Sequence, residues 1–324
     1  MSHAIQIHQT GGIDVLRWEA VNVGEPAPQQ VRIRHTAIGL NYIDVYFRTG
    51  LYKAANYPFI PGMEAAGIVE AVGSAVTDLA VGDRVAYGVS LGAYAETRLI
   101  DAERVVKIPQ GVSDSVAAAM MLKGMTAQYL LRQTYPVKAG DTILFHAIAG
   151  GVGLIACQWA KKLGATVIGT VSSAEKAELA KAHGCDHTII YTKENFVERV
   201  KALTDGKGVA VVYDSVGNDT FMQSLDCLQP LGMLVSFGQS SGVVPPLDIG
   251  ILSAKGSLFL TRPTLMSYTA TRQQFLTCAT DLFSVVASGA VKIDVNQTFA
   301  LKDAAKAHEA LESRQTTGST VLLP

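Results

Sequence analysis

Across the first 120 residues the apolar positions fall in short runs broken by turn residues. β-Branched residues concentrate in Gln30 to His35, Gly67 to Val72 and Arg84 to Tyr87, as strands require. Gly62, Gly67, Gly73, Gly82, Gly88 and Gly92 lie at the spacing of tight strand connections, so this part reads as a β-rich lobe. From about Ser115 the pattern changes: Val116 to Leu122 and Thr126 to Arg132 are helix-prone. Apolar runs then follow at Thr142 to His146, Thr166 to Val171, His187 to Tyr191, Val209 to Tyr213, Met233 to Phe237 and Ser257 to Leu260. Leu154 to Leu163, Ala174 to His183 and Lys193 to Leu203 separate several of them as amphipathic stretches. Strand and helix repeated in this way predict a doubly wound parallel sheet with crossover helices. Toward the end, Thr271 to Ser288 and Leu301 to Ser313 have helical spacing, and Asn296 to Phe299 reads as a strand. The terminal strand at Val321 to Pro324 would be unpaired alone, so it is expected to complete the sheet of the first lobe.

Composition narrows the function classes. The length of 324 residues suggests two domains at about 150 each, and 48% hydrophobic with 17% charged residues excludes a disordered chain. A net charge of −1 supplies no chain-wide basic field for nucleic acid or an anionic membrane. Cys157, Cys185, Cys227 and Cys278 are scattered, with no CxxC or Cys/His cluster for zinc and no disulfide framework, which predicts a reducing compartment. The first residues lack the basic and apolar regions of a signal peptide, and a cytoplasmic location is expected. Thr142 to Ala160 imitates a membrane span in having 19 residues without Asp, Glu, Lys or Arg. Its His146, Gly150, Gly151, Gly153 and Gln158 fit a buried strand, turn and helix better.

The sharpest chemistry lies where the strand from Thr142 meets the turn Gly150-Gly151-Val152-Gly153, with a helix expected from Leu154. The glycines remove side chains where backbone must approach a pyrophosphate, and the helix start offers free N–H groups to the anion. A tight turn with no ligand is the alternative; the position after the first strand of a βαβ series favours the nucleotide. NAD-preferring folds place an acid about twenty residues further on, at the ribose 2′-hydroxyl. Here Thr166 to Val171 ends in Ser172, Ser173, Ala174, Glu175 and Lys176, two hydroxyls and an ammonium where a 2′-phosphate would sit, so NADPH is favoured over NADH. Ser172 also suits the N-cap of the next helix with Lys176 on its solvated face, and the two readings are compatible.

From Gly140 to Lys161 the pattern Gly-Asp-x-x-Leu, Gly-Gly-x-Gly, Gln and Lys resembles the signature of zinc-independent quinone oxidoreductases of the ζ-crystallin type, in the medium-chain dehydrogenase/reductase superfamily. Ile148 and Ala149 depart from the two small residues usual before the paired glycines and crowd the turn. Pro61 to Gly73 with Val81 to Val85 is similar to the GroES-like lobe of that superfamily. Asn41 to Tyr52 is similar to the substrate-side segment, and Asp214 to Gly217, Phe237-Gly238 and Thr261 to Pro263 to later cofactor contacts. The resemblance implies an α/β protein in which a Rossmann doubly wound sheet, residues 123–264, is inserted in a GroES-like β-rich catalytic domain made of residues 1–122 and 265–324. It also implies a homodimer, with Ser257 to Leu260 as a candidate edge strand at the two-fold.

Zinc enzymes of the superfamily have Gly-His-Glu where this chain has Gly62-Met63-Glu64, and a cysteine in the region of Asn41, so no metal is expected. Without a Lewis acid the acceptor must already be electrophilic, as a quinone is, and the expected activity is hydride transfer from NADPH to a quinone in a cleft between the domains. Tyr46 and Tyr52 are candidate proton donors or orienting hydroxyls, or packing residues; Asn41 is a candidate partner of the nicotinamide ribose or the quinone oxygen. The resemblance assigns to the cofactor Asn41, Thr126 at the start of its helix, Gly150, Gly151, Val152, Gly153, Ser172, Ser173, Lys176 and Tyr191. It adds Ser215, Phe237, Gly238, Ser240, Arg262 and Arg314, the last being equally suited to a solvated surface. Glu64, Asp44 and Arg48 read as a structural ion-pair set, and His146 as a buried hydrogen-bonded histidine. Reduction of an activated double bond in an enone or alkenal is the alternative activity, and nucleotide-dependent RNA binding a third that the absence of a Lys/Arg stripe disfavours.

Overall fold

The β-branched run that begins at Gln30 continues well past His35. In the computed structural model, which describes the chain from Met1 to Pro324, it forms the eleven-residue strand β3 (Gln30–Leu40). Before it, β1 (Ser2–Gln6) and β2 (Arg17–Val21) pair as an antiparallel hairpin. The pattern reading missed that hairpin because β2 has no fully buried position and hence no apolar alternation. Helix α1 (Tyr42–Thr49) leads to β4 (Glu64–Val72), β5 (Arg84–Gly88), β6 (Thr97–Asp101) and β7 (Val106–Lys107), and then to α2 (Asp114–Tyr129). The Rossmann-type part follows as β8 (Thr142–Phe145), α3 (Gly151–Lys162), β9 (Thr166–Val171), α4 (Ala174–Ala182), β10 (His187–Ile190) and α5 (Phe196–Leu203). Next come β11 (Val209–Asp214), α6 (Phe221–Asp226), β12 (Leu228–Ser236), α7 (Gly250–Ala254), β13 (Phe259–Thr261) and α8 (Leu265–Tyr268). Helix α9 (Arg272–Ala287), β14 (Val295–Ala300), α10 (Ala304–Glu312) and β15 (Ser319–Leu323) complete the chain.

Two compact units result. The first comprises Met1–Met125, Thr269–Ala287 and Ile293–Pro324, and the second Thr126–Tyr268 and Ser288–Lys292. In the first, a seven-stranded sheet has the order β14-β15-β3-β4-β5-β7, with β6 also on β3. The terminal strand β15 runs antiparallel to β3 and parallel to β14, which gives the end of the chain its pairing. Its core gathers Ile33, Ile38, Val69, Val85 and Tyr87 from the strands with Leu301, Ala304 and Ala307 around α10. In the second unit six strands pair in parallel in the order β10-β9-β8-β11-β12-β13, packed around Leu144, Ile168, Ile189, Val212 and Leu234. The chain winds outward from β8 in one direction and from β11 in the other, so the strand order reverses between those two.

Two local expectations change. The two helix-prone stretches near Val116 and Thr126 are one helix, α2, so Thr126 lies in its interior and not at a helix start. Ala117 to Met121, Met125 and Ala127 are buried along it, and that packing outweighs the roughly 1 kcal/mol that Gly124 costs within a helix. Helix α3 begins at Gly151, with extended Gly150 as its N-cap, and not at Leu154. No helix is long and apolar enough to cross a membrane; Thr142 to Ala160 is β8, a turn and most of α3.

Candidate active site

The second unit collects most of the residues assigned to a cofactor. Gly150, Gly151, Val152 and Gly153 follow β8, Ser172 and Ser173 follow β9, and Tyr191 follows β10. Ser215 follows β11, Phe237, Gly238 and Ser240 follow β12, and Arg262 follows β13. All therefore lie outside the carboxyl ends of parallel strands, the edge at which open α/β sheets take ligands where the strand order reverses. Thr126 follows no strand and lies within α2.

The glycine turn is built differently from the sequence expectation. A Cβ on Gly153 would strike the Ile148 carbonyl and come within 2.7 Å of the Ala147 oxygen, so this glycine lets α3 close on its own turn and is not a gap for a ligand. The crowding expected from Ile148 is relieved in the neighbouring strand. Its buried side chain occupies the space over Gly169 of β9. Beneath the turn, His146 is fully buried between the hydroxyls of Thr170 and Ser224, 3.0 Å from each, and burial lowers its pKa. Asp214, also fully buried, accepts from Val216 N and Gly217 N at 2.8 and 3.1 Å and from the Thr220 and Ser224 hydroxyls. This network ties together the ends of β8, β9 and β11. Sequence reasoning found His146 but not Thr170, Ser224 or the organising role of Asp214.

At the end of β9 the N-cap of α4 is Ser173, not Ser172: its hydroxyl oxygen accepts from Lys176 N at 3.3 Å. The Ser172 carbonyl accepts from the Thr192 hydroxyl at 3.1 Å, and Tyr191 N donates to the Val171 carbonyl, so the loops after β9 and β10 are joined behind the exposed Tyr191 ring. Ser240 N donates to the Ser215 carbonyl, and Arg262 Nη1 donates to the Ser236 carbonyl at 2.8 Å. A Cβ on Gly238 would lie 2.6 Å from that same Ser215 oxygen, so the loops after β11 and β12 are in close contact.

In the first unit Asn41 is the N-cap of α1 and is buried. Its Nδ2 donates to Glu64 Oε1 at 2.7 Å and, at 3.5 Å, to the Gly39 carbonyl. The Asn41 amide nitrogen is thus engaged within the first unit, firmly at Glu64 and weakly at Gly39. Glu64 is fully buried and also accepts from Leu122 N at 2.6 Å and Lys123 Nζ at 2.7 Å. In the sheet register its partners are Gly39 on β3 and Gly88 on β5. A Cβ on Gly39 would strike the Ala118 carbonyl and the Glu64 carboxylate, and one on Gly88 would lie 2.7 Å from Leu122 N. Those two absent side chains let α2 pass over Glu64 and set Lys123 on it. The sequence reading missed Lys123 because nothing local distinguishes it from a surface lysine.

The expected Glu64, Asp44 and Arg48 ion-pair set does not exist. Glu64 pairs with Lys123, while Arg48 makes two 2.8 Å bonds to Glu312 and donates to His308 Nδ1 at 3.2 Å. That donation leaves His308 Nε2 to carry the proton toward Tyr94 Oη at 3.1 Å, and the Tyr94 hydroxyl donates to Asp44 Oδ2. Burial lowers His308 to about 3, and burial raises Asp44 to about 7 against its bonds from Asn41 and Tyr94. The reason for the different pairing is distance in sequence: the partners come from α10, some 260 residues beyond α1.

Around this network Tyr46 and Tyr52 meet with ring centroids 5.2 Å apart, flanked by Tyr42 at 5.4 Å from Tyr46 and Phe47 at 5.8 Å from Tyr52. The four rings form a partly exposed aromatic patch on and beside α1, of which the sequence reading named only Tyr46 and Tyr52. Arg314 has a left-handed backbone just past α10 and lies close enough to Tyr42 to oppose the rise that burial causes in that phenol's pKa. It therefore belongs with the aromatic patch.

Comparison with known proteins matches residues 27–110 to the alcohol dehydrogenase GroES-like domain and residues 151–284 to the zinc-binding dehydrogenase family. The chain is 56% identical to a quinone oxidoreductase of Pseudomonas aeruginosa, over 100% of both chains. It is 49% identical to a 2-haloacrylate reductase of a Burkholderia species, over 100% of this chain and 99% of the other. The crystal structure of an Escherichia coli quinone oxidoreductase complexed with NADPH superposes with a TM-score of 0.97 at 50% identity, covering 99% of this chain and 100% of that one. The zinc named by the second family does not fit the residues here. Met63 and Asn41 stand where zinc enzymes place His and Cys, Lys123 already neutralises Glu64, and no three His, Cys, Asp or Glu side chains are grouped to hold a metal ion.

Proposed function

The chain belongs to the quinone oxidoreductase family of the medium-chain dehydrogenase/reductase superfamily, and from that premise we propose that it is an enzyme reducing quinones at the expense of NADPH. The observation that carries the reading is the gathering of the glycine turn, the Ser172 to Lys176 segment, Tyr191 and the loops after β11 to β13 on one edge of the parallel sheet. The NADPH complex of the Escherichia coli relative supports it. Bound NADPH supplies the hydride. The start of α3 at Gly151 receives the pyrophosphate on its N–H groups, and Ser172 and Ser173 with Lys176 meet the 2′-phosphate. Tyr191 lies beside the adenine, and Ser215, Phe237, Gly238, Ser240 and Arg262 hold the remainder, with Thr126 and Arg314 as further contacts. Asn41, whose Nδ2 is held by Glu64, contacts a ribose hydroxyl. The aromatic patch of Tyr46 and Tyr52 receives the flat acceptor ring. On this reading the second unit is the nucleotide domain and the first the catalytic domain.

Consumption of NADPH on mixing the enzyme with a panel of small quinones tests the proposal; silence with every quinone but turnover with enones sinks it. A second reading, reduction of an activated carbon–carbon double bond, is favoured by the 49% identity to the 2-haloacrylate reductase, and 2-chloroacrylate belongs in the same panel. We also propose a cytoplasmic homodimer: all four cysteines are free and buried, in keeping with a reducing compartment, and β13 leaves an apolar edge open.

A further inference from the structure

Lys123 is 6% exposed, and its Nζ has one polar partner in the chain, Glu64 Oε1 at 2.7 Å. An ammonium has three donors, of which Glu64 takes one, so Lys123 can donate to a further acceptor without leaving the carboxylate. The same Glu64 oxygen receives Asn41 Nδ2, which places Lys123 beside the N-cap of the helix that carries Tyr46. Glu64 cannot turn away, because its other oxygen is held by Leu122 N. The sheet spares two side chains, at Gly39 and Gly88, where they would obstruct this approach of α2. A neutral residue would satisfy the packing at lower desolvation cost, since a buried ion pair contributes little net stability.

We propose that Lys123 is a catalytic residue, donating a proton from its ammonium to the acceptor oxygen that gains charge during reduction. This rests on the quinone-reductase reading. Hydride from the nicotinamide oxidises the cofactor and reduces the quinone to its monoanion. The Lys123 N–H bond breaks as an O–H bond forms on the charged oxygen, giving the hydroquinone, and the neutral amine regains a proton from solvent. Glu64 holds the ammonium in place throughout, and Asp44 is the other carboxyl facing it.

Lys123→Met tests this against wild type with quinones whose hydroquinones differ in basicity. We expect kcat/KM to fall about 100-fold for tetramethylbenzoquinone and much less for a chlorinated quinone, whose monoanion needs the proton less. NADPH affinity, read by fluorescence titration, stays within about twofold, the change expected for a residue with no cofactor contact. A second readout uses 4-nitrophenol: wild type lowers the pH at which the bound phenol ionises, seen by absorbance, and Lys123→Met does not. If Lys123→Met is unfolded, the pair Lys123→Met with Glu64→Gln, which removes both charges, is measured instead. Equal losses for all quinones, a parallel loss of NADPH binding, retained activity or an unchanged nitrophenol titration each overturn the role of Lys123. A wild-type enzyme inactive toward all quinones overturns the quinone reading itself, and the proposal with it.

Discussion

At the end of β9 Ser173 caps α4 by accepting from the Lys176 amide, and on the NADPH reading Ser172, Ser173 and the Lys176 ammonium are the groups that meet the 2′-phosphate. Lys176→Ala should therefore weaken NADPH at least about tenfold and NADH less than about twofold, a charge-assisted phosphate contact being lost from only one of them. Comparison of the two dissociation constants checks it, and equal losses would show that Lys176 does not read the phosphate. Gly153 acts by steric exclusion alone. Gly153→Ala forces a methyl against backbone carbonyls that cannot move aside and should lower stability by roughly 2–4 kcal/mol, read from a thermal melt. Both residues stood out in the sequence by their motif. The reason for Gly153 did not, because the atoms it avoids are identified only when the turn is folded.

Elements here are positioned by what neighbouring strands leave out. Helix α2 reaches Glu64 across Gly39 and Gly88, so Gly39→Ala should displace the carboxylate from Asn41 and Lys123 together. The expected result is a fall in quinone turnover of at least about tenfold with nucleotide affinity nearly unchanged. Steady-state kinetics beside an NADPH titration would show it, and a proportionate loss of both would argue for general unfolding. Helix α1 is fixed from the other end of the chain, through Arg48 on Glu312 and His308. The sequence spacing of Asp44, Arg48 and Glu64 suggested a local ion-pair set, but the lowest-cost partner for a buried guanidinium is a bidentate carboxylate, wherever the chain brings one.

For the molecule as a whole, acid stability is set by buried titrating groups. Burial holds His35 and His308 near 3, well below the usual 6.5, so the unfolded chain binds more protons between those values and stability is lost as pH falls below about 6.5. Asp44, raised to about 7 from 3.8, acts oppositely, since the folded state keeps its proton through that window. Two histidines oppose one carboxyl, and melting temperature should fall between pH 7 and 4. His308→Gln should flatten that dependence and Asp44→Asn should steepen it; the reverse order would contradict the assignment. At the open edge of the six-stranded sheet, Phe259 and Leu260 of β13 are 55% and 37% exposed. If the proposed dimer forms through this edge, lysine at both positions should leave a monomer in gel filtration where the wild type runs as a dimer.

Periodicity along the chain was enough to determine the alternation of strands and helices, the glycine turn and the Ser172 to Lys176 segment. These depend on neighbours within a few residues, and apolar spacing and turn chemistry act at that range. The hairpin of β1 and β2, the Asp214 network, the pairing of Arg48 with Glu312 and the setting of Lys123 on Glu64 were decided only by the tertiary structure. Each joins groups that are far apart in sequence or have no apolar alternation to mark them. Nothing beside Lys123 in the sequence marks it as buried, because the carboxylate that holds it lies 59 residues away.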